Sequence, residues 1–152
     1  DNSMIFITHD IAVVSEVCES IIVMYGGKIM EKATTRVFFK TPFHPYSLGL
    51  QNASPSILDI EGKTLISIPG SPPNLAEEQK GCRFKERCPF REDKCLYNEP
   101  VLIPVDDKGH TIACHFPERV EEFRAKTKLL ETWENVRTRI EKEQEEAVNV
   151  QQ

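Results

Sequence analysis

Four of the five cysteines in the 152-residue chain lie within residues 81–116, with the spacing C-x5-C-x6-C-x18-C. They are Cys82, Cys88, Cys95 and Cys114. Thiolates are soft donors, and four of them that meet at one point bind zinc or an iron–sulfur cluster in proteins. We therefore predict a metal centre in this segment, with these four cysteines as its ligands.

Two other interpretations of the cysteines compete with a metal centre. A pair of disulfides would need an oxidising compartment, and the chain shows neither a signal peptide nor any other sign of export. Unrelated buried thiols are common in protein cores, but this segment is rich in proline and charge and poor in aliphatic residues. A metal centre accounts best for the crowding of cysteines.

The spacing also bears on which metal is bound. The first two ligands of a structural zinc site are usually about two to four residues apart, and the gaps of five and six residues here are wider. A four-iron cluster is larger than one zinc ion and accepts ligands from a looser loop. We favour a four-iron, four-sulfur cluster; zinc, or a site in which His110 or His115 replaces one thiolate, remains the alternative.

The composition limits the class of protein. Apolar residues make up 39% of the chain, which can supply a core, and the net charge of −5 argues against a nucleic-acid-binding surface. No apolar run is long enough to cross a bilayer. Reduced cysteines predict an intracellular location. Because an apolar run begins directly after Ser3, we expect the chain to be a fragment of a longer domain.

The apolar run at residues 4–7 predicts a strand buried on both faces of a parallel sheet. His9 follows at the carboxyl end of this strand, which is the edge of α/β sheets where ligands bind. Taken alone, a histidine at a strand end more often hydrogen-bonds the backbone than acts in catalysis. Asp10 can cap a helix over residues 11–19, whose apolar positions share one face.

Further elements are predicted in order along the chain. Strands over residues 20–25 and 28–32, separated by Gly26-Gly27, predict a β-hairpin. Short helices are expected over residues 34–40 and 47–53, the second with Pro45 in its first turn. Residues 118–147 contain no Pro or Gly and repeat apolar positions at helical spacing, which predicts one long amphipathic helix.

Several short motifs accompany these elements. Thr8-His9-Asp10 is followed by a hairpin of the pattern M-x-x-G-x-I-x-E, and His44-Pro45-Tyr46 by I-P-G-x-P-P-x-L at residues 68–75. The pattern G-C-x-F-x-x-R-C-P then covers residues 81–89. In order and spacing, Thr8-His9-Asp10 and the hairpin pattern that follows it resemble the closing segment of ABC transporter ATPase domains. The later motifs resemble the oligopeptide and dipeptide importer branch, so the resemblance extends over residues 4–116.

The resemblance implies a role for His9 at the γ-phosphate of ATP, where it would position the attacking water. It also implies an intact protein that binds ATP and Mg²⁺ between two ATPase subunits and drives a membrane permease without touching the solute. Such a subunit would be cytoplasmic and peripheral to the cell membrane. In some members of the family the cysteine segment holds a four-iron, four-sulfur cluster. The phosphate-binding pattern G-x-x-x-x-G-K-[ST] is absent from this sequence, so the chain alone is expected to be inactive.

Together these observations predict the fold class and the function. We expect an α/β fragment of buried strand, helix and β-hairpin (residues 1–54), a small metal-stapled irregular domain (55–117) and a charged C-terminal helix (118–152). The predicted function is that of a C-terminal fragment of the ATP-hydrolysing subunit of a peptide-type ABC importer, with a cluster of structural or regulatory role. The alternative is a stand-alone iron–sulfur or zinc module without an ATPase role.

Overall fold

The computed structural model of the protein describes residues 3–54 and 65–150. Its first part is a helix, a β-hairpin and two further helices. In chain order these elements are α1 (Ile11–Val17), β1 (Ser20–Tyr25), β2 (Lys28–Thr34), α2 (Thr35–Lys40) and α3 (Pro45–Asn52).

The second part contains less regular structure before a long final helix. Its elements are α4 (Asp93–Tyr97), β3 (Ile103–Pro104), β4 (Thr111–Ile112), a 3-10 helix (Pro117–Arg119), α5 (Val120–Lys126) and α6 (Leu130–Val150). Among the described residues, no helix combines the length and the apolar character needed to cross a membrane.

One antiparallel sheet joins the two parts, with the strand order β1-β2-β4-β3. The β1–β2 hairpin turns at Gly26 and Gly27, whose φ angles of 55° and 76° favour glycine. On the other side of β2, Glu31 is opposite Ile112 in β4. The cysteine segment therefore adds strands to the hairpin, and the prediction of an α/β fold is confirmed with an antiparallel sheet. The proposed division at residue 55 lies in 55–64, outside the described residues, and stays a prediction.

The prediction of a buried strand at residues 4–7 is wrong for this structure. The segment has no strand structure, and the side chains of Ile5 and Ile7 are 90% and 93% exposed. A strand needs a neighbour for its backbone hydrogen bonds and a layer on each face that it buries. No element among the described residues provides either one here.

The short helices form as their capping residues indicate. Asp10 accepts hydrogen bonds through Oδ1 from the backbone N–H groups of Ala12 and Val13, at 2.9 and 3.4 Å, and so caps α1. His44 caps α3, because its Nδ1 accepts from the N–H of Tyr46 at 3.0 Å. Pro45 occupies the first turn of α3, as predicted.

The single helix predicted over residues 118–147 is instead a 3-10 turn and two α-helices. Tertiary hydrogen bonds stabilise the break after α5. The Thr127 carbonyl accepts from Trp133 Nε1 and from Asn52 Nδ2, both at 2.9 Å. The break allows Phe123 and Trp133 to enter two different core clusters, which one straight helix would not do.

The largest core cluster brings together the hairpin, the cysteine segment and α6. Tyr25, Phe84 and Trp133 are its largest members, and Cys82 and Cys95 belong to it. Residues 65–80 contain no helix or strand, but Ile66 belongs to the same cluster. Arg87 ties this part to the body by donating to the carbonyls of Ile68 and Pro69, at 2.9 and 2.8 Å.

Candidate metal centre

The four predicted ligands line one cavity, here called the cysteine cavity. Its empty volume is about 350 Å³, including the part open to solvent. The cysteines in its wall are Cys82, Cys88, Cys95 and Cys114. The remaining wall is largely aromatic and consists of Phe84, Phe90, Phe116, Phe123, His44 and His115, with Pro45 and Lys85. The four cysteines, which are up to 32 residues apart in sequence, thus line one partly enclosed space together with residues as distant as His44 and Phe123.

Three of the four sulfurs have a backbone N–H group close by. The N–H of Phe116 donates to Cys114 Sγ at 3.5 Å, and the N–H groups of Phe84 and Phe90 lie near enough to the sulfurs of Cys82 and Cys88 to lower the pKa of these thiols. In each case the donor is the residue two positions after the cysteine. Such donors stabilise a negatively charged sulfur, and hydrogen bonds to sulfur tune iron–sulfur centres.

The thiols of Cys82, Cys88 and Cys114 nevertheless favour their neutral form. Burial raises the pKa of Cys82 and of Cys114 to about 11, although backbone donors pull each value down. Burial also raises the pKa of Cys88 well above its ordinary value, and the neighbouring cysteines raise it further. Because metals bind thiolates, metal binding here would release protons and would supply the positive charge that the buried sulfurs lack.

Gly81 makes the junction between two of the cysteines possible. Its φ of 69° lies in the left-handed region, and a Cβ atom at this position would stand 2.3 Å from the Cys95 carbonyl oxygen. The next residue, Cys82, donates its N–H to the same carbonyl at 2.8 Å. Glycine at position 81 therefore allows the Cys82 and Cys95 backbones to meet.

The C-terminal helix α6 holds the loop that carries Cys88. Arg139 donates through one terminal nitrogen to the carbonyls of Glu86 and Cys88, both at 3.0 Å. Arg91, three residues after Cys88, forms an ion pair with Glu143 one turn further along α6. On the opposite side, the Phe90 and Phe123 rings pack with their centroids 4.4 Å apart.

The histidines and the fifth cysteine have different surroundings. His115 lines the cavity, and its Nε2 lies 2.8 Å from the Asn98 carbonyl oxygen. His110 is directed away from the cysteines, since its Nε2 lies 2.7 Å from Glu31 Oε1 in a buried contact. Cys18 is a free thiol at the end of α1 and is not part of the cavity wall. Of the two histidines considered as substitutes for a thiolate, only His115 lines the cavity.

The four sulfurs do not converge as closely as one ion would require. No group of three or more histidine, cysteine, aspartate or glutamate side chains in 3–54 and 65–150 is placed to hold a metal ion. A single zinc ion needs its sulfur ligands about 2.3 Å away, whereas four thiolates of a cluster bind different iron atoms. The metal centre predicted at these four cysteines, and the identity of its metal, therefore stay predictions.

His9, the predicted catalytic residue, lies far from any completed site. Its side chain is exposed, next to the Asp10 cap of α1. The nucleotide-binding motifs that would surround it are absent from the sequence. The role of His9 at the γ-phosphate thus stays a prediction from resemblance.

Two features of the site were missed in the sequence. The pattern C-x-F occurs three times, at Cys82, Cys88 and Cys114, and would have indicated both the N–H donors and the aromatic wall. The second feature is Glu31, which is fully buried beneath the site. Nothing in the local sequence marks it as buried, because the next residue, Lys32, is equally charged and exposed.

Comparisons with known proteins identify the family to which the chain is related. Residues 30–95 match the family described as the oligopeptide/dipeptide transporter, C-terminal region. The chain is 46% identical over 125 residues to the oligopeptide transport ATP-binding protein OppD of Escherichia coli strain K12, an alignment that covers 81% of this chain and 35% of that protein.

Two further relatives extend the similarity to other bacteria. The oligopeptide transport ATP-binding protein AppD of Bacillus subtilis is 42% identical over 118 residues, which cover 78% of this chain and 35% of the relative. The dipeptide transport ATP-binding protein DppD of Caldanaerobacter subterraneus is 39% identical over 116 residues, covering 76% and 35%. The chain spans about a third of the length of these relatives. It belongs to the family of oligopeptide and dipeptide transport ATP-binding proteins, of which it represents a C-terminal region.

Proposed function

We propose that the chain is the C-terminal part of the ATP-hydrolysing subunit of a peptide importer, and that its four clustered cysteines hold an iron–sulfur cluster. The cluster contains four irons, and its first role is structural. The observation that carries the second half of the proposal is the cysteine cavity, in which Cys82, Cys88, Cys95 and Cys114 face one space.

The transport half of the proposal draws on the relatives. Their names describe ATP-binding proteins for oligopeptide and dipeptide transport. In the complete protein, ATP and Mg²⁺ would bind between two such subunits, and hydrolysis would drive membrane permease subunits that carry the peptide. The subunit would be cytoplasmic and peripheral to the membrane, would not touch the peptide and would not bind nucleic acid, in line with a net charge of −5.

His9 has the chemistry for its proposed part in hydrolysis. A neutral imidazole donates a hydrogen bond from one nitrogen and accepts at the other, so it can contact a phosphate oxygen while a partner fixes its orientation. The exposed position of His9 leaves both nitrogens accessible to a nucleotide bound by the remainder of the protein.

The cluster half of the proposal is supported by the donor set. Four thiols on segments with little regular structure line the cavity, and the Phe84, Phe90 and Phe116 amides are directed at three of the sulfurs. An iron–sulfur cluster supplies iron and sulfide that such a donor set binds. Aromatic rings around the sulfurs would exclude water from it, which affects its reduction potential.

A structural role agrees with the way the cysteines join separate segments. Cys82 and Cys88 flank the turn at residues 83–87, Cys95 lies in the five-residue helix α4, and Cys114 follows β4. Bonds from all four to one group would cross-link these short pieces, as metal sites do in small domains. A regulatory role is compatible with the structural one. Loss of the cluster at low iron or on oxidation would break the same cysteine bonds and so release the cross-linked segments.

The test is the iron and sulfide content of the anaerobically purified chain. We expect about four irons and about four sulfides per chain, with the visible absorption of thiolate-bound clusters, which bleaches on exposure to air. A colourless protein with one zinc per chain would overturn the cluster assignment. The transport half is tested separately, by peptide uptake in cells whose full-length ATPase subunit carries His9→Ala, which we expect to abolish uptake.

A further inference from the structure

The one fully buried acidic side chain among the described residues connects three separate segments. Glu31 lies in β2 and is 0% exposed. Its carboxylate oxygens accept hydrogen bonds from the backbone N–H groups of Phe43 and His44, at 3.0 and 2.9 Å. The same carboxylate lies 2.7 Å from His110 Nε2. The hairpin, the turn before α3 and the strand region before Cys114 therefore share one anchoring group.

The surroundings keep this carboxylate charged. Burial alone would raise the pKa of Glu31, but the hydrogen bonds from the His110 ring and from the two backbone amides lower it below the ordinary value. A buried charge is tolerated when it is paired and hydrogen-bonded, and each donor here comes from outside β2. Removing the charge would therefore loosen the contacts between segments more than the hairpin itself.

Both segments that Glu31 anchors lead to the cysteine cavity. His44 lines the cavity directly. His110 precedes β4, which pairs with β2 at Glu31, and the N–H of Ala113 donates to the Met30 carbonyl at 2.8 Å. Cys114 follows immediately. The position of Cys114 relative to the hairpin thus depends on the short β2–β4 pairing, which includes Glu31.

We propose that Glu31 is a positioning residue for the four-cysteine site: it sets the place of Cys114 and of the His44 wall, and so couples filling of the site to the stability of the hairpin. The coupling acts in both directions, because a ligand that stabilises one arrangement is bound more tightly by that arrangement. The nature of the ligand rests on the proposed function, but the positioning of Cys114 does not.

The first measurement uses the reduced, metal-free chain. Alkylation by iodoacetamide is followed by mass spectrometry at Cys114, at Cys82 and, as an internal reference, at Cys18. We expect Glu31→Gln to accelerate alkylation of Cys114 about fivefold or more, because the loss of a charged hydrogen-bond acceptor favours local opening. The rate at Cys18 should not change. Glu16→Gln, the same substitution on the exposed side of α1, is the matched control and should leave both rates unchanged.

The second measurement uses the chain loaded anaerobically with ferrous iron and sulfide. Loading should slow hydrogen exchange of the β2 amides about tenfold or more in the unaltered chain and less than about twofold in Glu31→Gln. The visible spectrum of the loaded variant should also differ from that of the unaltered chain, because the Cys114 sulfur is placed differently. A role confined to global stability would leave the spectrum unchanged and would accelerate alkylation of Cys82, a second buried thiol of the site, as much as that of Cys114.

The outcomes separate this inference from the proposed function. If the unaltered chain binds no iron and sulfide, the cluster assignment fails, and the alkylation measurement still decides the positioning role. An unchanged Cys114 rate in Glu31→Gln, or an equal acceleration at Cys114 and Cys82, would overturn the inference. Should Glu31→Gln fail to fold, His110→Asn replaces it, because Glu31 then keeps its contacts to Phe43 and His44. Acceleration at Cys114 alone is again expected, and its absence would again overturn the inference.

Discussion

Residues 4–7 and the cysteine segment are both made of side chains that proteins usually bury, yet only the second is enclosed. Ile5 and Ile7 are almost wholly exposed, whereas Cys82, Cys95 and Phe84 lie in the core. Both regions lack long strands or helices of their own. The difference lies in where their partners are found. The hairpin, α3 and α6 all pack around the cysteines, and no described element packs on residues 4–7.

This contrast shows that the cysteine segment is a dependent structure, built against the hairpin and the last helix. Phe84 touches Tyr25 and Tyr46 with ring centroids 5.2 and 5.1 Å apart, so aromatic residues of the first part support the wall of the cavity. Arg139 of α6 holds the Cys88 loop from the other side. A change in either support should reach the cavity, while changes at residues 4–7 should not.

The largest contrast is expected between two cysteines, one in the wall of the cysteine cavity and one outside it. Cys88→Ser should lower iron affinity about tenfold or more, because ligand loss exceeds the effect of altering an outer partner of a metal site. Cys18→Ser should leave iron content unchanged, since Cys18 lies outside the cavity. Iron and sulfide analysis of the two variants after anaerobic reconstitution measures the difference. Equal losses in both would mean that the ligand set is wrong.

The next contrast is between two residues of α6. Trp133→Ala should lower the free energy of unfolding by about 3–5 kcal/mol, because Trp133 is buried in the largest core cluster and bonds the Thr127 carbonyl. Leu130→Ala, one turn earlier and half exposed, should change it by about 0.5 kcal/mol or less. Urea unfolding of the metal-free chain gives both values. Similar losses would show that α6 is not anchored through Trp133.

How far the sequence predicts this molecule depends on how local each feature is. The hairpin, the cap at Asp10 and Pro45 in the first turn of α3 depend on neighbouring residues, and each was predicted close to its observed position. The grouping of the four cysteines was predicted from their chemistry. The break between α5 and α6 was not, because it depends on Asn52, which is 75 residues away from Thr127.

Burial of charge was the other feature that the sequence did not reveal. Glu31 occupies a strand position that periodicity alone would place on either face, and its partners Phe43 and His110 are 12 and 79 residues away. The prediction of a buried strand at residues 4–7 was wrong for the opposite reason. The apolar character of the segment favours burial, but the sequence does not show whether another layer packs against it.

The role of Glu31 as a charged anchor predicts a pH dependence. Because its pKa is lowered in the folded state from the ordinary 4.5, its contribution to stability is present above that value and is lost as the pH falls through the folded pKa. We expect Glu31→Gln to cost about 1.5–3 kcal/mol at pH 7. The cost should shrink below the ordinary pKa, where the native carboxyl also becomes neutral.

Chemical unfolding of the two metal-free chains at neutral and at acidic pH measures this difference. Both chains keep His110 and His44, the titratable groups nearest to the carboxyl, so the difference between them reports Glu31 and its pairing with these rings. A cost that is the same at both pH values would mean that the carboxyl is not ionised in the folded protein.

The smallest effect is expected in the exposed region. Ile5→Ala should change the free energy of unfolding by about 0.5 kcal/mol or less, because a side chain that is already in water loses no buried surface. Ile112→Ala, in the strand that connects β2 to Cys114, removes a fully buried side chain and should cost about 2–5 kcal/mol. Urea unfolding of both variants compares them directly. A loss of about 2 kcal/mol or more for Ile5→Ala would mean that residues 4–7 pack against the body of the chain in solution, and the contrast between the two regions would then disappear.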